Sequence, residues 1–267
     1  MMGIVMPDGG LTENQKTASK LMGISEEEMY NRLKVLDSKY VWTAAIIIPV
    51  YNGEKYIKEC IESALNQTVK CQVIVINDGS DDGTHNICKH IDGIVYLIKP
   101  NGGTASALNC GIRNANARWI HWLSADDVLY PNAVEEMLKE IETTPNNSNY
   151  IYYTNYDVID EHGMFIREFI EPLHRNFSTK EERFKELLGN YYGNGSSSMI
   201  HKSVFEKIKY DESLAHSEDY DFMLNAMYNG IDLKLIPIKT LKYRNHKDQM
   251  THKVGGSLND VIRSRYR

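Results

Sequence analysis

Ile46-Ile47-Ile48-Pro49-Val50-Tyr51-Asn52-Gly53-Glu54 is the stretch on which the fold turns. An apolar run from Ala44 to Val50 stops abruptly in Tyr-Asn-Gly. Side chains branched at Cβ suit an extended backbone, and Asn-Gly suits the turn that ends it. The run is far shorter than the roughly 20 residues that cross a bilayer. It reads as a buried strand opening into a polar loop. Going downstream, Tyr56, Ile57, Cys60, Ile61 and Leu65 have helical spacing within Glu54–Leu65. Val73–Ile76 is a second strand, closed by Asn77-Asp78-Gly79-Ser80, and Ile94–Ile98 a third. A helix over Ala105–Asn114 leads to a fourth strand, Trp119–Leu123, which ends at Ser124-Ala125-Asp126-Asp127. Pro131 then suits the start of a helix, where its missing N–H costs nothing. Continuous apolar strands alternating with helices predict a parallel sheet covered on both faces, an α/β fold.

Upstream, Thr12-Glu13-Asn14-Gln15 and Ser25-Glu26-Glu27-Glu28 have the spacing of helix capping boxes, and Met29, Leu33 and Leu36 share a helical face. Residues 1–42 are therefore expected to form a helical arm, serving structure or homo-oligomer formation. The second half is less regular. Tyr150–Ile159 and Met164–Ile170 predict a hairpin around Glu161-His162-Gly163, with helices near Lys180–Leu188 and Glu218–Asn229 and short strands near Ser197–Ile200 and Leu233–Ile236. No repeat or low-complexity linker divides the chain.

With 30 basic against 36 acidic residues, the net charge of −6 offers no surplus to neutralise phosphates, so no nucleic-acid partner is expected. The first residues, MMGIVMPDGG, lack the basic and apolar regions of a secretory signal, and a cytoplasmic location is expected. Cys60, Cys71, Cys88 and Cys110 show no Cys-x-x-Cys spacing and read as reduced thiols.

Ligands of an open parallel sheet bind beyond the carboxyl ends of its strands. Here three strands end in polar clusters on one rim: Pro49-Val50-Tyr51-Asn52, Asn77-Asp78-Gly79-Ser80 and Ser124-Ala125-Asp126-Asp127. The turn after the first strand has no GxGxxG, and no GxxxxGK[ST] occurs, which excludes the two commonest nucleotide loops. An aromatic and acids remain. Tyr51 could cover a base, Asp78 could accept from base N–H groups, and Asp126 and Asp127 suit a hard divalent cation such as Mg²⁺ or Mn²⁺.

These residues resemble glycosyltransferase family 2, whose members share the GT-A fold, a Rossmann-like mixed sheet flanked by helices. The resemblance rests on Ile46–Glu54, on Asn77-Asp78-Gly79-Ser80-Asp81-Asp82-Gly83-Thr84, on Asn101-Gly102-Gly103-Thr104-Ala105-Ser106-Ala107-Leu108-Asn109-Cys110-Gly111, and on the acidic Ser124–Asp127. It implies a domain over 43–245, with a donor-binding half (43–130), an acceptor-side half (131–245) and a tail (246–267). It implies that Pro49, Tyr51 and Glu54 line a nucleobase pocket, that Asp78 binds the base, and that Gly103 lets the backbone approach ribose and diphosphate. Asp126 and Asp127 would bind the donor's metal, Mn²⁺ or Mg²⁺, with His246 near the phosphates. Gly195, Ser196 and Glu218 would border the acceptor. Asp219, in Ser217-Glu218-Asp219-Tyr220-Asp221, would be the catalytic base, with Glu218 or Asp221 as second choices.

One departure stands out: the family usually has Asp where Ser124 stands. The resemblance also implies a nucleotide-sugar donor, with uridine favoured, and a glycan, glycolipid or protein acceptor. Absence of QxxRW favours single additions over polymer extrusion. The basic Val261–Arg267 run suits contact with the inner face of a membrane. Two other readings share the pocket. A sugar nucleotidyltransferase would need a Gly-rich basic loop after the first strand, which is absent, whereas a non-catalytic nucleotide-sugar binder would tolerate Ser124.

Overall fold

A computed structural model describes residues 16, 19–20, 22–26, 42–172, 177–189 and 194–249. The capping box at Thr12–Gln15, the Glu28 end of the second box, the Met29-Leu33-Leu36 face and the tail from Met250 lie outside the described residues.

The opening run is strand β1 (Trp42–Val50). It is followed by α1 (Ile57–Leu65), β2 (Gln72–Asn77), α2 (Thr84–Cys88), β3 (Ile94–Ile98), α3 (Gly103–Asn114) and β4 (Ala117–Trp122). Within this half every expected element is present, with ends displaced by up to three residues. Strands β3, β2, β1 and β4 lie side by side and parallel. Alternation along β1 divides its side chains between two helical layers: Ala45 and Ile47 join the layer with α3, and Ala44, Ile46, Ile48 and Val50 the layer with α1. Helix α3 comes so close that a Cβ on Gly111 would stand 2.4 Å from Ile47 Cγ2, so only glycine fits there.

After β4 the direction changes. Strands β5 (Val128–Leu129), β6 (Tyr150–Ile159), β7 (Phe165–Phe169), β8 (Met199–His201) and β9 (Asp232–Arg244) extend the sheet to the order β3-β2-β1-β4-β8-β6-β9-β5, with β7 on β6. Strand β8 runs antiparallel to β4 and β6, β9 parallel to β6, and β5 antiparallel to β9. The sheet is mixed, and it is continuous across residue 130. Helix α4 (Ala133–Thr143) packs Met137 and Ile141 on the α1 side, while α5 (Lys180–Gly189) and α6 (Glu218–Tyr228) lie on the α3 side. No described helix is long and apolar enough to cross a membrane.

The largest departure from expectation is β9, expected to stop near Ile236 but 13 residues long. Pro237 has no N–H to donate, which is why the apolar run looks finished there. The strand instead absorbs the proline in an irregularity, with Thr154 opposite Ile236 and Asn155 opposite Lys239, and then resumes its ladder to Arg244. That extension carries Arg244 to the rim.

Candidate nucleotide-sugar site

The strand ends are held in register by backbone hydrogen bonds. Asp78 N donates to Val50 O at 2.8 Å, Lys99 N to Asn77 O at 3.0 Å, and Leu123 N to Ile47 O at 3.0 Å. Pro49 is half-buried in β1 opposite Ile76, while the Tyr51 ring is 54% exposed over the rim. Asn52 adopts a left-handed φ of 53°, a conformation that Asn tolerates. Its side chain donates to Asp81 Oδ1 at 2.7 Å and accepts from Asp81 N at 3.0 Å, clamping the first loop to the second. Glu54 continues the clamp, its carboxylate accepting from Gly83 N at 2.7 Å at the start of α2. In this arrangement Glu54 holds the two loops together.

Asp78 is 3% exposed. Such a buried carboxylate needs donors, and it has three: Lys99 Nζ at 2.5 Å, Gly102 N at 3.1 Å and Gly103 N at 2.7 Å. The two amides open α3. Gly103 has a φ of 82°, and a Cβ there would meet nothing within 4 Å, so the surface above this backbone is open.

The acidic loop separates its two aspartates. Asp126 keeps a quarter of its side chain exposed, and its Oδ2 stands 2.9 Å from His246 Nε2. Asp127 is fully buried, with Oδ1 accepting from Arg244 N at 2.9 Å. Burial, and then the charge of Asp126, push its carboxyl well above the usual carboxylate range. Asp127 thus departs from its expected place as a metal ligand: its carboxylate points into the protein, toward the end of β9. Among the described residues no three His, Cys, Asp or Glu side chains gather to hold a cation. Asp126 and His246 alone offer one oxygen and one nitrogen donor, leaving further positions to ligand oxygens. That mixed pair suits Mn²⁺ better than Mg²⁺, which prefers an all-oxygen shell.

Arg244, only 1% exposed, organises this corner and carries no signal in the sequence beyond its charge. Its Nε donates to Asp126 O at 2.8 Å, and Nη2 to Glu59 Oε2 on α1 at 2.6 Å. The guanidinium lies 4.7 Å from the Tyr56 ring centre, and that ring meets His246 at 5.0 Å. Asn245 N donates to Ile159 O at 2.8 Å, tying the same segment to β6. Together these contacts hold His246 against Asp126. Lys99 stands directly after β3 as Asp78 stands directly after β2.

Beside the acidic loop, Ser196 Oγ accepts from Ser124 N at 2.8 Å and bonds Ser124 Oγ at 2.7 Å. The serine at the position of the family's usual acid therefore fastens the turn Gly195–Ser197 to the acidic loop. Gly195 lies flat on Trp122, where a Cβ would stand 2.1 Å from the indole. Trp122 meets Tyr210 edge-on at 6.1 Å, and Tyr210 stacks on Phe222 of α6 at 4.4 Å. This aromatic stack carries the start of α6, where Glu218 is 9% exposed and Asp219 half-buried. Burial, and then the charge of Asp219, push the Glu218 carboxyl up to about 8. Asp219 Oδ1 accepts from Tyr220 N at 2.8 Å, and Asp221 is buried within the helix.

Comparison with known proteins places this geometry. The family model described as Glycosyl transferase family 2 matches residues 45–209. An uncharacterized glycosyltransferase of Rickettsia prowazekii is 38% identical over 78% of this chain and 65% of its own length. One of Methanocaldococcus jannaschii is 31% identical over 75% of this chain and 70% of its own. The chondroitin synthase of Pasteurella multocida is 29% identical over 84% of this chain and 24% of its own. The chain thus spans just under two thirds of the Rickettsia prowazekii relative and about a quarter of the synthase. A crystal structure of S. aureus TarS 1-349 in complex with UDP-GlcNAc superposes with a TM-score of 0.62 over 84% of this chain and 71% of that one. At 15% identity this shows the shared fold alone. The helix-flanked mixed sheet, the strand-end clusters and the family match agree, and the chain belongs to glycosyl transferase family 2.

Proposed function

We propose that this chain transfers one sugar at a time from a nucleoside diphosphate sugar, with a UDP-sugar favoured, to a hydroxyl of a glycan, glycolipid or protein, inverting the anomeric centre. The observation that carries this reading is the meeting of Asp126 and His246 at 2.9 Å, across 120 residues of sequence, on the rim that also presents Asp78. A carboxylate and an imidazole held together there suit a Mn²⁺-bound diphosphate, and when bound the ion would stabilise charge on the departing diphosphate. Tyr51 covers the base, Asp78 accepts from it, and the open backbone at Gly103 admits ribose and phosphates. Asp126 and His246 hold the metal, while Asp127 positions β9 behind them.

Across the site, Gly195 and Ser196 border the acceptor, and Asp219 is the catalytic base. The acceptor oxygen attacks the anomeric carbon opposite the diphosphate, the new C–O bond forms as the bond to phosphate oxygen breaks, and the hydroxyl proton passes to Asp219. Burial holds the neighbouring Glu218 carboxyl up to about 8, so it is largely protonated near neutral pH. The relatives named for chondroitin and hyaluronan synthesis support a glycan acceptor. The TarS complex supports a uridine donor.

The test is turnover of UDP-sugars by the Asp219→Asn variant. Loss of the base should lower kcat by roughly 10²–10⁴ while the affinity for UDP is kept. Unchanged turnover would move the role of base elsewhere, and donor binding without any transfer by the unaltered chain would make it a nucleotide-sugar binder.

A further inference from the structure

Six large hydrophobic side chains are well exposed among the described residues, and four of them fall within Met164–Ile170. Met164 is 67% exposed and Phe165 62%, and Ile166 and Ile170 are the other two. The far end of β7 is covered, since Phe169 stacks on Tyr156 at 4.6 Å and the Arg167 guanidinium lies 5.6 Å from its ring centre. The near end, at the turn, is bare. That turn is fixed by its own hydrogen bonds: Asp160 Oδ1 accepts from His162 N at 2.9 Å and from Met164 N at 2.8 Å. It is also fastened to the rim. Arg244 Nη1 donates to Asp160 O and Glu161 O at 3.4 Å each, and Lys55 Nζ to Glu161 Oε2 at 2.9 Å. Through Arg244, an apolar tip shares the corner that holds Asp126 and His246.

We propose that this tip docks on an anionic lipid surface, with Met164, Phe165 and Ile166 entering the boundary between headgroups and acyl chains. Every residue of β7 from Phe165 to Glu168 is exposed, so both faces of this end of the strand are open. A flat protein surface would cover one face, and a second copy added along the free edge of β7 would cover neither. Acyl chains surround both. Among the described residues β7 pairs with β6 alone, and the amides of its free edge must stay hydrated, which keeps the insertion shallow.

Charge fits the same partner. Near the tip, Asp160 is occupied by its own turn, Glu161 by Lys55 and Glu168 by Lys239. Arg167 is exposed and has no carboxylate partner among the described residues. Gln249 Nε2 donates to Arg244 O at 2.6 Å, and beyond it the sequence adds Lys253, Arg263, Arg265 and Arg267 against Asp260 alone. Apolar side chains and basic residues are each a weak signal, and together they give stable binding to anionic lipid. On the reading of the rim as a nucleotide-sugar site, docking turns that site toward hydroxyls carried at a membrane.

The experiment is co-sedimentation of the full chain, without nucleotide, with vesicles of phosphatidylcholine alone or mixed with an equal part of phosphatidylglycerol. The unaltered protein should bind the mixed vesicles at least about tenfold tighter than phosphatidylcholine alone, and added salt should weaken that binding. Replacing both Phe165→Ser and Ile166→Ser should lower affinity for the mixed vesicles by about tenfold or more, with Tm and UDP affinity unchanged. Phe165→Trp reports depth: lipids brominated on their acyl chains should quench its added fluorescence and leave the unaltered protein's emission as it was.

No binding of the unaltered protein to mixed vesicles would overturn the proposal. So would equal binding by the double serine variant, or an unquenched Trp at position 165, where no loss of fold is in question. A dimer seen by sedimentation velocity, abolished by the two serines and accompanied by no vesicle binding, would give β7 to a second copy instead. Vesicle binding without UDP binding would leave this proposal standing and overturn the functional reading. UDP binding without vesicle binding would do the reverse.

Discussion

Asp126 and Asp127 are the same chemical group at adjacent positions, and burial alone gives them different work. Asp126 stays at the surface beside His246, while Asp127 faces inward to Arg244 N. Asp126→Asn and His246→Ala should therefore each reduce the Mn²⁺-dependent part of UDP binding by more than about tenfold. Asp127→Asn, which can still accept from Arg244 N, should leave that part within about threefold. Paired titrations with and without Mn²⁺ read both, and equal losses at 126 and 127 would restore the two-carboxylate site expected from sequence.

Glu218 supports a prediction of a different kind. Its carboxyl is held at about 8 in the folded protein, against an ordinary 4.5. Folded Glu218 thus binds a proton that the unfolded chain releases, so its contribution to stability is complete below about 4.5 and is lost as pH rises through about 8. Glu218→Gln should raise Tm relative to the unaltered protein, and by more at pH 8 than at pH 5. Melting curves across that range check the sign. Convergence made the rim legible, because Asn, Asp, Gly and Ser are common in any turn but here three such clusters end strands of one sheet. It did not reveal direction: whether an acid in a turn faces water or core depends on partners such as Arg244, 117 residues away from Asp127.

Elements position the chemistry through close contacts. The turn Gly195–Ser197 is held by the Trp122 ring beneath and Ser124 beside it, and so forms a fixed wall rather than a loose loop. Gly195→Ala would push a methyl into the indole and should destabilise the protein by about 1–3 kcal/mol, measured by urea unfolding. Strand β9 has the larger task. Arg244→Met would leave Asp126 O without its Nε donor, while Glu59, 57% exposed, would return to water. The variant should lose about 1–3 kcal/mol, the cost of a buried acceptor left unsatisfied, and any folded fraction should have lost its Mn²⁺ response, because His246 is no longer held in place. Arg244→Lys should not rescue it, since an ammonium cannot reproduce the planar fork. The helices and parallel strands were legible because their periodicity is uninterrupted. Strand β9 was not, because Pro237 imitates a strand end where the fold has an irregular pairing.

At the scale of the whole molecule, the sheet joins a parallel half, rich in fully buried β-branched residues, to a mixed half with an exposed edge. Stability should be unequal across it, and amide exchange should be slowest in β1 and β2, buried over Ala44–Ile48 and Gln72–Asn77, and fastest in β7. Strand β7 exposes Phe165 and Ile166 on opposite faces, an edge of the kind that favours association. Ile166→Lys should change unfolding by no more than about 0.5 kcal/mol and reduce light scattering at high concentration.

The family match ends at residue 209, inside the mixed half, so Asp219, Arg244 and His246 all come after it. Strand β9 follows every other described strand yet lies between β6 and β5 in the sheet. During synthesis, then, the parallel half emerges from the ribosome complete while the acidic loop still lacks its histidine and its arginine. A nascent chain halted at Pro237 would have Tyr51 and Asp78 but no histidine partner for Asp126. Under the function proposed above, capacity for a metal-bound donor would arrive last, and a prematurely terminated copy of the protein would not compete with the finished one for it.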